Sequence, residues 1–154
     1  MQNKISLGTV QFGLDYGINN PKGKVSFSEA QNIIDFVQES GIDTIDTASA
    51  YGDSEDVLGR IHERLENINI VSKFSAEKPN VEVEIKRSLK RLKQKAIYGY
   101  LAHSFHLMDE DVYKQLVNIL EKGYVEKIGV SLYHPREVDI IIEKYPKEIE
   151  LNKY

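Results

Sequence analysis

The chain has 154 residues, 41% hydrophobic and 29% charged, with a formal net charge of −4; this suffices for one domain with a buried core and gives no electrostatic reason to expect nucleic acid or an anionic membrane as partner. The absence of cysteine excludes disulfides, thiolate catalysis and cysteine-ligated metal. Residues 1–4 lead straight into a strand pattern with no secretory core, and no apolar run approaches the roughly 18 residues that cross a bilayer, so a cytoplasmic location is expected.

A strand is predicted over residues 5–9, followed by a glycine-rich stretch from Gly13 to Gly23. Ser28 is placed to cap a helix with apolar positions Ile33, Ile34, Phe36 and Val37. Gly41 ends it, because glycine readily takes the left-handed conformation at a helix exit. Residues 42–46 read as the second strand. Ser54 then caps a helix through Val57, Leu58, Ile61 and Leu65, with Asp53, Glu55 and Asp56 near its positive N-terminus. Residues 68–72 form the third strand, 80–95 the third helix and 97–103 the fourth strand. The fourth helix covers 109–122 and stops at Gly123. A fifth strand over 127–131 leads to a helix over 135–144, with Pro135 in its first turn. After Pro146, residues 149–151 approach a sixth strand. The third helix carries Lys86, Arg87, Lys90, Arg91, Lys93 and Lys95 beside the apolar stripe Val81, Ile85, Leu89 and Leu92. No aromatic residue interleaves that cluster, which reads as a solvated helix face.

Five strands, each followed by a helix, point to the α/β class, a single domain over residues 1–154 and a parallel sheet covered by helices. Two features favour part of a (β/α)8 TIM barrel over an open doubly wound sheet. The first turn, Leu7-Gly8-Thr9-Val10-Gln11-Phe12-Gly13, lacks the glycine spacing of a dinucleotide fold. Polar and ionisable residues also collect near the C-terminal ends of several strands. About five βα units would leave open edges at the first and fifth strands. The chain is therefore expected to pair with another copy, rearrange, stay marginal, or be a fragment whose remainder is missing.

Several strand-end residues can carry chemistry or merely build turns. Asp46 and Thr47 either cap a local turn or supply a functional carboxylate. Tyr51, beside Gly52, is either a packing residue or a proton donor helped by a nearby cation. Lys73 ends the third strand, where an exposed lysine is ordinary and a buried one requires a partner. Taken together the three are consistent, because the carboxylate can pair the ammonium and the ammonium can favour the tyrosinate. His103 ends the fourth strand and His106 follows, but no third ligand has metal-site spacing. His134 reads as a loop residue or cap, and His62 as a surface residue of a helix. Ser131 ends the fifth strand, where a hydroxyl can hold an amide or a carbonyl. No Gly-x-Ser-x-Gly elbow surrounds Ser49, Ser72, Ser104 or Ser131, and no Walker loop is present.

The chain resembles the aldo-keto reductase superfamily over essentially its whole length. The resemblance is carried by Leu7-Gly8-Thr9-Val10-Gln11-Phe12-Gly13 and, most strongly, by the stretch from Gly41 to Glu55 containing Asp46-Thr47-Ala48-Ser49-Ala50-Tyr51-Gly52. It continues through Glu55-Asp56-Val57-Leu58-Gly59, Ile70-Val71-Ser72-Lys73-Phe74, His103 and Gly129-Val130-Ser131. It implies reduction of an aldehyde or ketone by a nicotinamide cofactor, usually NADPH. By that resemblance Tyr51 donates the proton, Lys73 paired with Asp46 lowers the tyrosine pKa, and His103 orients the carbonyl. Gly8, Thr9, Asp46 and Ser131 fall at cofactor-binding positions.

Two departures matter. Family members typically follow the serine of the fifth strand with an asparagine, whereas Leu132 here cannot hydrogen-bond an amide. Ser104-Phe105-His106-Leu107-Met108 lacks the common tryptophan-proline pair. The family barrel has about 300 residues in eight βα units and holds most of the cofactor with elements after its seventh and eighth strands. The 154-residue chain is accordingly expected to keep the proton-relay residues and bind NADPH poorly. The alternative is an inactive half-barrel fragment or a self-associating module.

Overall fold

The computed structural model describes residues 5–18 and 20–145, and the backbone of 149–153. Six strands form one parallel sheet in the order β1-β2-β3-β4-β5-β6: Leu7–Gly8, Thr44–Asp46, Asn69–Phe74, Ile97–Ala102, Val125–Leu132 and Ile149–Lys153. The main helices are α1 (Val10–Gly13), α2 (Phe27–Glu39), α3 (Ser54–Arg60), α4 (Val81–Leu92), α5 (Glu110–Glu121) and α6 (Pro135–Lys144). This is the α/β architecture expected, part of a (β/α)8 barrel. Residues 149–151 are the core of a full sixth strand, paired along β5 from Ile128↔Ile149 to Leu132↔Lys153. Residues 1–4 and Pro146 lie outside the described residues.

The pleat divides the chemistry. On one face Ile45, Ile70, Phe74, Tyr100, Ile128 and Val130 pack beneath the helices, each 0–3% exposed. The other face carries two register-aligned rows, Gly8-Asp46-Val71-Gly99-Lys127 and Lys73-Leu101-Gly129. Side chains alternate between faces along a strand, so Lys73 and Ser72 point in opposite directions.

Helix starts differ from expectation in two places. Ser26, not Ser28, caps α2: it is extended and its hydroxyl accepts from the Glu29 N–H at 3.2 Å, while Ser28 is already in the first turn. The buried stripe of α2 is Ala30, Ile34 and Val37, so Phe36 projects outward and is 65% exposed. Ser54 is not a cap either; Asp53 occupies that position without a side-chain cap bond. Helix α3 ends at Arg60, and a 3-10 turn over His62–Arg64 follows, where His62 is half-buried with Nδ1 2.9 Å from the Gly59 carbonyl. Asn80 and Asp109 cap α4 and α5 through their side chains. His134 caps α6 in a box with Glu137, whose carboxylate accepts from the Tyr133 and His134 N–H groups at 2.9 and 3.1 Å. Those two amides hold the Glu137 pKa below its ordinary value.

Helices α3 and α4 touch backbone to backbone at Gly59. A Cβ there would lie 1.9 Å from the Arg91 carbonyl oxygen and 2.9 Å from its carbon. Gly59→Ala is therefore expected to force the helices apart and cost about 1–3 kcal/mol or more. Urea unfolding checks this; an unchanged midpoint would contradict the close crossing.

Candidate functional site

Asp46, the last residue of β2, is anchored through its carbonyl, which accepts from the Thr9 N–H and the Thr9 hydroxyl, both at 3.0 Å. The chain then turns across the end of β3. The Thr47 N–H donates to the Val71 carbonyl at 2.8 Å, and the Ser49 N–H to the Lys73 carbonyl at 2.9 Å. Two further bonds, Tyr51 N–H to the Ala48 carbonyl and Ser54 N–H to the Tyr51 carbonyl, each 3.0 Å, close the turn that presents Tyr51. Gly13 is required beneath it, because a Cβ there would lie 1.7 Å from the Tyr51 carbonyl oxygen. The buried Ser54 hydroxyl binds both the carbonyl and the hydroxyl of Thr9, at 2.9 and 2.8 Å, and lies 3.1 Å from that of Thr47.

Lys73 lies inside β3, which runs one residue beyond it. It is fully buried, and its Nζ donates to Asp46 Oδ1 at 2.6 Å and to the Thr47 carbonyl at 2.9 Å. Burial pulls its pKa below the ordinary lysine value, and the Asp46 carboxylate opposes that shift. The Nζ is 5.1 Å from the centre of the half-buried Tyr51 ring. His103 follows β4, tied to β3 by its N–H to the Phe74 carbonyl at 3.0 Å. Its ring meets Tyr51 edge-on, with centroids 5.5 Å apart. Burial and the Lys73 charge push its pKa below 6.5, only partly offset by Asp46.

The imidazole is thus neutral near pH 7. Because the folded state holds the His103 proton less tightly than the unfolded chain, this group costs stability as pH falls through about 6.5. The expected NMR titration midpoint of the His103 ring lies below 6.5. A midpoint above it would mean that Asp46, rather than Lys73 and burial, sets the ring's charge.

The structure therefore brings Asp46, Tyr51, Lys73 and His103 together. Tyr51, His103 and Asp46 open into a cleft of about 520 Å³, also lined by Gly8, Thr9, Val10, Leu14, Tyr16, Ala50 and Tyr133. Gly8 faces open space, with no atom within 4 Å of where a Cβ would be. The Thr9 hydroxyl is turned into the scaffold. Ser131 sits two residues beyond Gly129 on the face of Lys73 and Leu101, outside the cleft's lining. Its hydroxyl is buried without a hydrogen-bond partner among the described residues. A buried hydroxyl with no partner among the described residues can receive an amide, so Ser131 and the open Gly8 are compatible with a nicotinamide cofactor. His106 is exposed beside Phe105.

Sequence reasoning missed Tyr16, Tyr133 and Leu14, which reach the cleft from irregular segments without periodicity. Glu55 lies in the first turn of α3 as expected, but its burial and its pairing with Arg91 were not foreseen. Arg91 is in turn half-buried, not part of a wholly solvated basic face.

A parallel βα sheet with a tyrosine and a buried lysine–aspartate pair at its strand ends defines a barrel-type α/β chain with a built polar site. A sequence profile of the aldo/keto reductase family matches residues 4–153. The chain belongs to that family. Solved structures it resembles include a protein from Pseudomonas aeruginosa described as an aldo-keto reductase, at 26% identity and TM-score 0.75, covering 95% of this chain and 71% of that one. An aldose reductase from Schistosoma japonicum is 20% identical with TM-score 0.70, covering 96% and 56%. An aldo/keto reductase from Klebsiella pneumoniae, in complex with NADP and acetate, is 22% identical with TM-score 0.67, covering 89% and 48%. The chain thus spans about half the length of the last two. No curated protein matches it.

Proposed function

We propose that this site reduces an aldehyde or ketone to an alcohol with NADPH, with Tyr51 as the proton donor. The observation that carries the reading is the fully buried Lys73 ammonium, locked on Asp46 and set 5.1 Å from the Tyr51 ring centre. When bound, the nicotinamide cofactor supplies the hydride. Ser131, with the open backbone at Gly8, would hold its carboxamide end. The remaining work falls to this chain's own side chains. Tyr51 gives its proton to the substrate oxygen, and the nearby Lys73 cation favours the negative charge left on the phenol. Asp46 keeps that cation in place without exposing it to water. His103, neutral near pH 7, donates a ring N–H to orient the carbonyl, leaving Tyr51 as the acid. Family membership and the NADP complex of the Klebsiella relative support the cofactor assignment.

The test is a calorimetric titration of the 154-residue chain with NADPH, followed by an aldehyde panel monitored by NADPH consumption. Binding with turnover supports the reading. Ser131→Ala is expected to leave stability unchanged or slightly raised, since it removes a hydroxyl with no partner among the described residues, and to weaken NADPH about three- to tenfold. Equal affinity in the variant would remove Ser131 from the cofactor site.

A second reading rests on the sheet edges, where β1 and β6 each pair on one side only among the described residues. Unpaired parallel edges invite a second copy. A folded chain that sediments as a sharp dimer and binds no NADPH would favour this self-associating module.

A further inference from the structure

We infer that Glu55 is a positioning residue: acting through Ser72, it fixes how Lys73 sits beneath Tyr51. The inference rests on the reading of Lys73 as the cation of the proposed site. Glu55 is 1% exposed in the first turn of α3, and its two carboxylate oxygens are divided between partners. Oε1 accepts from the Ser72 hydroxyl at 2.6 Å. Oε2 accepts from Arg91 Nε at 2.7 Å and pairs with Nη2 at 2.5 Å. The arginine reaches this point because α4 passes directly under the bare backbone of Gly59, one turn further along α3.

Ser72 and Lys73 are consecutive residues on opposite faces of β3. A slide or twist of Ser72 relative to α3 therefore carries Lys73 with it. Glu55 also stands four residues after Tyr51, in the helix that the Tyr51 turn feeds through the Ser54 N–H. One carboxylate thus joins the element presenting Tyr51 to the strand presenting Lys73, from the side of the sheet away from the cleft. Stability alone does not call for this arrangement, because well-packed apolar side chains of similar volume serve as well as a buried ion pair. Charge-assisted hydrogen bonds add fixed distances and angles that apolar contact leaves adjustable.

The test reads the protection of Lys73 directly. The 154-residue chain is acylated at its amines, and peptides containing Lys73 and the exposed Lys78 are compared by mass spectrometry. Ser72→Ala and Glu55→Gln are expected to raise acylation at Lys73 about tenfold, the equivalent of one lost hydrogen bond, with Lys78 unchanged. Leu116→Val, in the buried face of α5, serves as the control for a general loss of stability and leaves Lys73 protected. The inference is overturned if Lys73 stays protected in both brace variants, or if its labelling follows global stability across all three. Ser72→Ala, which deletes one hydroxyl, carries the test should Glu55→Gln fail to fold. Any preparation that turns over offers a second readout: kcat falls in the brace variants while KM holds, and a change confined to KM counts against the inference. The labelling needs neither cofactor nor turnover, so it reports on Glu55 even if the reductase reading fails.

Discussion

Asp46→Asn is expected to cost about 3–5 kcal/mol of stability near neutral pH, the usual effect of stranding a buried charge. The Lys73 ammonium has no exposed surface, and the Asp46 carboxylate is its counter-charge at 2.6 Å. Once the carboxylate is gone, the Thr47 carbonyl at 2.9 Å remains as a hydrogen-bond acceptor, and a neutral carbonyl cannot offset a full charge. The deficit should depend on pH with a definite sign. Burial lowers the folded-state pKa of Lys73 below 10.5, and loss of Asp46 lowers it further. Between that lowered value and 10.5 the unfolded chain binds more protons than the folded one, so stability rises with pH. The variant's deficit should therefore be smaller at a pH inside that window than at neutral pH. The double variant Asp46→Asn/Lys73→Met, which carries neither charge, should recover most of the loss. Urea unfolding at the two pH values decides: a deficit that grows with pH, or a double variant no better than the single, contradicts the pairing.

Tyr51→Phe is expected to lower kcat about 10²- to 10⁴-fold, the range for removal of a general acid, in any preparation that reduces a carbonyl. Phenylalanine keeps the ring that faces Lys73 and His103, so the thermal midpoint and NADPH affinity should hold. That separation is the informative part. A parallel fall in stability would mean that the phenol is structural, and activity within tenfold of the parent would transfer the acid role to His103 or water.

The strand ends were legible in the sequence because Asp46, Lys73 and His103 each close a short, partly apolar run that a parallel sheet buries, while Tyr51 stands in the turn that follows the first of them. The resemblance then tied those ends to one chemistry. Local surroundings were less legible. Phe36 looked like part of an apolar face, but the helical stripe through Ala30, Ile34 and Val37 leaves position 36 about 100° away. Ser28 and Ser54 have the right chemistry for caps and the wrong backbone positions, a matter of one or two residues that propensity cannot resolve. Glu55 was hidden by its neighbours Asp53 and Asp56. Only the crossing at Gly59 turns it toward Arg91, and a contact between two helices leaves no periodic mark in either. The burial of the Ser131 hydroxyl likewise depends on its strand neighbours.

The strictly sequential order of the sheet bears on how the molecule assembles. Each strand from β2 onward docks beside the strand made just before it, so no early strand waits for a distant partner and loop-closure entropy stays low. On a ribosome such a chain can fold from its beginning, one βα unit at a time. The four clustered residues belong to the segments around β2, β3 and β4, and are all present once residue 103 has emerged. The cluster of these four residues can therefore form early in synthesis, before β5 brings Ser131 and the cleft wall at Tyr133.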